Sequence, residues 1–150
     1  MEPKTRRHVH EESFSATPER LFEILVTPTA ICGWWGASRA IVIPETGGIW
    51  SASWGDDYDA PDYVSSFVIR TFEPPRRIFF DDAKYYARAG KPPFDARMTT
   101  EFVIEPTGDG AILRVIQDGF PCDPIADDFF AACDRGWRDT FAGIRRFLAQ

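Results

Sequence analysis

Along the C-terminal part of the chain, large apolar residues recur at intervals of three or four. Phe129/Phe130, Cys133, Trp137, Phe141, Ile144 and Leu148 fall on one helical stripe. Asp123 reads as the N-cap of this helix and Pro124 as its first residue. Asp127 and Asp128 lie in the opening turns and Arg145 and Arg146 near the end, the order the helix dipole favours. A shorter helical pattern covers Leu21, Phe22, Leu25 and Val26, with Thr17 as N-cap, Pro18 at the first position and Thr27-Pro28 as the stop. A further helical turn is predicted over 29–34, closed by Gly36.

Between the helices the period changes to two. Strands are predicted over 39–43, 49–54, 63–72, 76–81, 98–105 and 111–118, with a weaker one over 8–15. Glu45-Thr46-Gly47-Gly48 and the 106–110 segment supply hairpin turns, and Glu73-Pro74-Pro75 ends the longest strand. Residues 1–7 read as a flexible basic tail. The 81–95 stretch is predicted to form a short helix over 82–89, stopped by Gly90, and to act as a lid. No repeat or linker divides the chain, so 1–150 is predicted to be a single α+β domain. Its about seven antiparallel strands must curl or be covered, and they wrap the long C-terminal helix, with two short helices between strands 1 and 2.

Composition sharpens this picture. At 150 residues the chain is long enough to bury a real core, and a net charge of −6 argues against nucleic-acid partners and anionic membranes. No apolar run reaches the length of a membrane span. Three cysteines without metal spacing predict free thiols in a reducing cytoplasm. The unusual feature is 13 Phe, 5 Trp and 4 Tyr, aromatic surface that a cavity as well as a solid core can take up.

Parity assigns much of that surface to one face. Trp50, Trp54, Phe67, Ile69, Met98, Phe102, Ile104, Leu113 and Val115 share the concave side of the sheet. Phe120, Phe130, Cys133, Trp137 and Phe141 form the opposite wall, and one of Trp34-Trp35, taken as Trp35, faces the gap. These residues either fill a core or line an aromatic pocket, in which Gln117, Tyr63, Tyr85 and Arg97 would orient a ligand. His8 and His10 sit two apart on a strand but have no third His or paired Cys, so no metal site is expected. Both histidines are far in sequence from Cys32, Cys122 and Cys133, which leaves no catalytic triad in view. The pairs Asp56-Asp57, Asp81-Asp82 and Asp127-Asp128 read as solvated or capping, and no glycine-rich phosphate loop calls for a cofactor.

A series of short motifs carries a family resemblance. They are Ala16-x-Pro18-Glu19-x-Leu21-Phe22, then Thr27-Pro28 before Ile31-x-x-Trp34-Trp35-Gly36, and Gly47-Gly48-x-Trp50. Glu73-Pro74-Pro75-Arg76-Arg77-Ile78, Phe102-x-Ile104-x-Pro106, Gly119-Phe120 and Gly136-Trp137-x-x-x-Phe141 follow. In this order they resemble the helix-grip superfamily of START lipid-transfer domains, birch-pollen-allergen-like proteins and polyketide cyclases. Within it they resemble the branch named for the C-terminal domain of the activator of the heat-shock-protein ATPase. The family commonly has Thr, His and Glu where this chain has Ala111, Gln117 and Thr71. The resemblance implies a cavity between sheet and last helix, and one fold that hosts several functions. Three functions are therefore carried forward. The first is non-enzymatic binding of a small hydrophobic or aromatic ligand. The second is a chaperone-regulator-like interaction module, with a homodimer or chaperone as partner. The third is a cyclase- or hydrolase-type enzyme using the same cavity.

Overall fold

The computed structural model describes residues 4–150. Strand β1 (Thr5–Phe14) leads into helices α1 (Pro18–Val26) and α2 (Pro28–Trp35). Six strands follow: β2 (Arg39–Val42), β3 (Ile49–Trp54), β4 (Tyr63–Glu73), β5 (Arg77–Ala87), β6 (Thr99–Pro106) and β7 (Ala111–Pro121). A 3-10 turn (Pro124–Ala126) then opens into the long helix α3 (Asp127–Leu148). The strands make one antiparallel sheet in the order β1-β7-β6-β5-β4-β3-β2. The first strand closes onto the last, and the meander between them curves around α3. This is the helix-grip arrangement expected from the chain's patterning. Among the described residues no helix is long and apolar enough to cross a membrane.

Each short helix starts as its sequence dictates. The Thr17 hydroxyl accepts from the Arg20 amide at 3.1 Å, with Pro18 in the first turn of α1. α2 ends at Gly36 with φ 73°, a left-handed conformation that favours glycine. A helix leaves its last carbonyls without partners, and the C-terminus of α1 satisfies three with side chains. The Thr27 hydroxyl donates to Glu23 O at 2.7 Å, Trp34 Nε1 to Ile24 O at 2.9 Å and Trp50 Nε1 to Leu25 O at 2.8 Å. Two indoles are thereby fixed at one end of the sheet, over a core of Leu21, Ile24, Leu25 and Ile31. α3 then crosses α2 closely. A Cβ added at Gly143 would lie 2.2 Å from the Trp34 carbonyl oxygen, and one at Gly33 would lie 2.6 Å from the Phe147 ring.

Three expectations are corrected. The tail predicted over 1–7 is already strand from Thr5, and the Lys4 carbonyl accepts from the Cys122 amide at 3.1 Å; residues 1–3 lie outside the described residues. Asp123 caps the 3-10 turn, accepting from the Ile125 amide at 3.0 Å, while α3 itself starts at Asp127. No helix forms over 82–89, because β5 runs on to Ala87 with Tyr85 opposite Ser65. A β-bulge explains the misreading. Between the pairs Val68–Asp81 and Ser66–Lys84, two residues of β5 face one of β4, and Asp82 takes φ 50°. Ile78 and Phe80 point inward before the bulge, and the inward set moves to odd positions after it. A period of two broken in mid-strand does not read as a strand. The lid predicted over 81–95 is thus strand in its first half.

Candidate functional site

A cavity of about 810 Å³ lies between the concave face of the sheet and α3. Its size falls within the usual range of small-molecule sites, roughly 300–1,000 Å³. All five tryptophans of the chain, Trp34, Trp35, Trp50, Trp54 and Trp137, stand in its wall. At the plug end Trp35 stacks on Trp34 (ring centroids 5.6 Å apart) and meets Trp54 edge-on at 4.7 Å. The floor is the sheet, where Trp50, Phe67, Phe80 and Phe102 pack at mutual tilts with centroids 5.2–6.1 Å apart. Trp137 of α3 closes it from above, edge-on to Phe102 at 6.0 Å.

Of the predicted site residues, Trp35, Trp50, Trp54, Tyr63, Phe67, Tyr85, Phe102, Gln117, Cys133 and Trp137 line this cavity. Ile69 and Leu113 do not: both are wholly buried in the packed core. Strand parity places a side chain on a face but leaves open how far along the strand the void extends. Met98 and Arg97 line a smaller pocket behind β4 and β5, where Arg97 pairs with Asp81.

Phe120, Phe130 and Phe141 are also absent from the lining, for a helical reason. At about 100° per residue, Phe129, Cys133, Gly136, Trp137 and Thr140 turn one flank of α3 to the cavity. Phe130, Asp134 and Phe141 turn the neighbouring flank toward β1, where Phe120 meets Phe130 edge-on at 5.1 Å. The single stripe read from the sequence is two faces. Trp34, Phe80 and Phe129, and the polar Ser65, Thr100, Asp139 and Thr140, are lining residues that sequence reasoning missed. For Phe129 and Thr140 the helical spacing from Cys133 and Trp137 carried the signal; for Phe80 the bulge hid it.

Three of the cavity's polar groups form one short row. Trp137 Nε1 donates to Gln117 Oε1 at 2.8 Å, and Gln117 Nε2 donates to the Tyr85 hydroxyl at 3.3 Å. An indole nitrogen only donates, so the amide must present its oxygen to Trp137 and its NH2 to Tyr85. Tyr85 then accepts from Gln117, and the Thr100 side chain lies beside the same hydroxyl. Burial pushes the Tyr85 phenol well above its ordinary value and the Cys133 thiol up to about 11. Both groups are therefore neutral at pH 7. The cavity wall contains no histidine among the described residues. His8 and His10 instead lie on the far flank of α3, where the fold brings Asp134 to them, a third potential metal ligand that sequence spacing could not supply.

Several solved structures share the whole fold. Protein MLL2253 from Mesorhizobium loti superposes with a TM-score of 0.76 at 24% identity, covering 96% of this chain and 97% of its own. A Rhizobium leguminosarum protein gives 0.76 at 18% identity, covering 99% and 97%. DynU16, from the dynemicin biosynthetic locus, gives 0.74 at 17% identity over 96% of this chain and 47% of its own. At these identities the likeness is one of fold. None of the curated proteins matches the sequence. The family model for activator of Hsp90 ATPase homolog 1-like proteins matches residues 15–149, so with the sheet, the gripped helix and the ordered motifs all in place, the chain belongs to that family.

Proposed function

We propose that the protein is a non-enzymatic carrier or sensor of a small apolar or aromatic molecule, held between the sheet and α3. One observation carries the reading: every tryptophan in the chain lies in the wall of a single open cavity. Aromatic side chains supply large rigid contact area, and edge-to-face packing suits a flat apolar guest. The row Trp137–Gln117–Tyr85 sets a fixed line of polar atoms in the wall, against which one polar atom of that guest can orient. Tyr85 and Cys133 are poorly suited to acid–base work, because an effective general acid or base has its pKa near the working pH and burial holds both far above it.

A guest of roughly 20 non-hydrogen atoms, at about 0.3 kcal/mol each, would bind with about 6 kcal/mol, a Kd in the range of tens of micromolar. The tryptophans report occupancy directly. Titration with a neutral naphthyl compound is expected to quench or shift their fluorescence saturably, and Gly136→Phe, which fills the cavity from α3, to abolish the change. A flat titration across a panel of neutral aromatic compounds, or one unchanged in the Gly136→Phe protein, would count against the carrier reading.

A further inference from the structure

The cavity uses one flank of α3; the other flank carries a second cluster. His8 and His10 project from one face of β1, and Asp134 of α3 comes down onto them. His8 Nδ1 lies 3.7 Å and His10 Nε2 lies 3.3 Å from the same oxygen, Asp134 Oδ1. The three ligand atoms all fall within 4.8 Å of one another. Ligands about 2.0–2.2 Å from a tetrahedral zinc ion are roughly 3.3–3.5 Å apart, so small shifts of these side chains suffice to close on one.

Hydrogen bonding around the cluster shows which atoms are free. His8 Nε2 is 2.6 Å from the Phe130 carbonyl oxygen. A carbonyl only accepts, so this nitrogen carries a hydrogen and Nδ1 is the ring atom turned toward Asp134. A bare lone pair there would face a carboxylate oxygen, so the contact calls for a proton or a metal ion between the two atoms. His10 Nε2 is buried without a hydrogen-bond partner, a condition native structures rarely keep.

The surroundings are those that orient metal ligands. His8 donates its other ring nitrogen to a backbone carbonyl, and Asp134 Oδ2 takes Arg138 at 2.9 Å. Phe130 stacks on His8 with centroids 3.7 Å apart, and Phe120 meets it edge-on at 5.2 Å. Asp134 remains 29% exposed, which leaves solvent a way in.

We propose that His8, His10 and Asp134 form a binding site for a divalent transition-metal ion of the zinc type, with solvent completing its coordination. Two imidazoles and one carboxylate suit zinc and its first-row neighbours better than magnesium or calcium, which take oxygen ligands. The ion joins β1 to α3 across the grip.

The test uses the full chain, stripped with EDTA and carrying Cys122→Ser, since that thiol is exposed and would compete. Equilibrium dialysis against Zn²⁺ with elemental analysis is expected to give one ion per chain, and added Zn²⁺ to raise Tm. A Co²⁺ titration should show visible bands without thiolate charge transfer. Asp134→Asn, which preserves side-chain shape, and His10→Ala should each weaken uptake about tenfold or more, and Arg138→Ala by about tenfold. Circular dichroism checks folding; if His10→Ala does not fold, Asp134→Asn alone carries the comparison. Absence of stoichiometric uptake, uptake unchanged by Asp134→Asn, or uptake present only with Cys122 intact would overturn the site.

Discussion

Two glycines of α3, seven residues apart, test how the grip is built, because the same change at each should act in opposite directions. Glycine inside a helix costs about 1 kcal/mol relative to alanine. A Cβ added at Gly136 meets open space on the cavity side. Gly136→Ala should therefore return most of that and raise Tm by roughly 2–4 °C in a domain of this size. At Gly143 the same gain is outweighed, since the new methyl carbon would lie 2.2 Å from the Trp34 carbonyl oxygen. That oxygen belongs to backbone, at the end of a helix whose neighbouring side chains are packed, so α3 must move off α2. Overpacking of this kind costs about 1–3 kcal/mol, giving a net loss of up to about 2 kcal/mol and a Tm lower by several degrees. Urea unfolding of the two variants, with m-values compared to confirm a common unfolding transition, supplies the measurement. A Gly143→Ala protein as stable as Gly136→Ala would show that α2 and α3 do not touch through backbone, and the placement of Trp34 and Trp35 in the cavity wall would lose its basis.

The remaining predictions concern polar groups. Trp137→Phe keeps a ring over the cavity but strands Gln117 Oε1, which sits on a buried side chain. It should cost about 1–3 kcal/mol in denaturant unfolding, and adding Gln117→Met should recover part of the loss; no loss in the single variant would refute the row. Asp81 is buried and held below its ordinary value of 3.8 chiefly by its hydrogen bond from Arg97, against the opposing effect of burial. Its folded pKa being the lower one, its contribution to stability is complete above about pH 3.8 and disappears as pH falls through the folded value. Asp81→Asn should accordingly flatten the acid limb of the stability–pH curve, and an unchanged limb would exclude the pair as its source. With Cys133 pushed up to about 11, roughly one thiol in ten thousand is thiolate at pH 7. Iodoacetamide should therefore label exposed Cys122 well before Cys133 by mass spectrometry, and a bound aromatic compound should slow Cys133 further.

Much of the architecture was legible because local signals and global fold agree. Thr17-Pro18, Gly36, the Gly47-Gly48 turn and the alternation over Ile49–Trp54 each specify their own geometry, and each element occurs where its residues indicate. The elements misjudged are those whose signal is broken by a neighbour. The bulge at Asp82 moves β5 from even to odd inward positions, and only the pairing with Ser66 and Val68 of β4 shows that the strand continues. The extent of the void was illegible for a related reason: Ile69 and Phe67 share parity on one strand, yet only Phe67 reaches the cavity, because α1 and α2 fill the other end of the grip.

The long helix shows the same limit most sharply, and there the consequence is functional. A stripe of Phe129/Phe130, Cys133, Trp137 and Phe141 read as one apolar face spans more than 100° of helix, and its two edges face different partners. Divided between two surfaces, it accounts for the aromatic residues in the N-terminal two-thirds of α3, ahead of its crossing with α2. Phe129, Cys133 and Trp137 turn to the aromatic cavity, while Phe130 and Phe141 flank Asp134 and lie against the histidines of β1. A charged residue between two phenylalanines at a partly buried position would otherwise be costly to maintain. Arg138 on one oxygen and the imidazoles of His8 and His10 facing the other give that cost a physical reason. The helix is thus gripped on one side by packing around a space and on the other by a carboxylate set against two imidazoles.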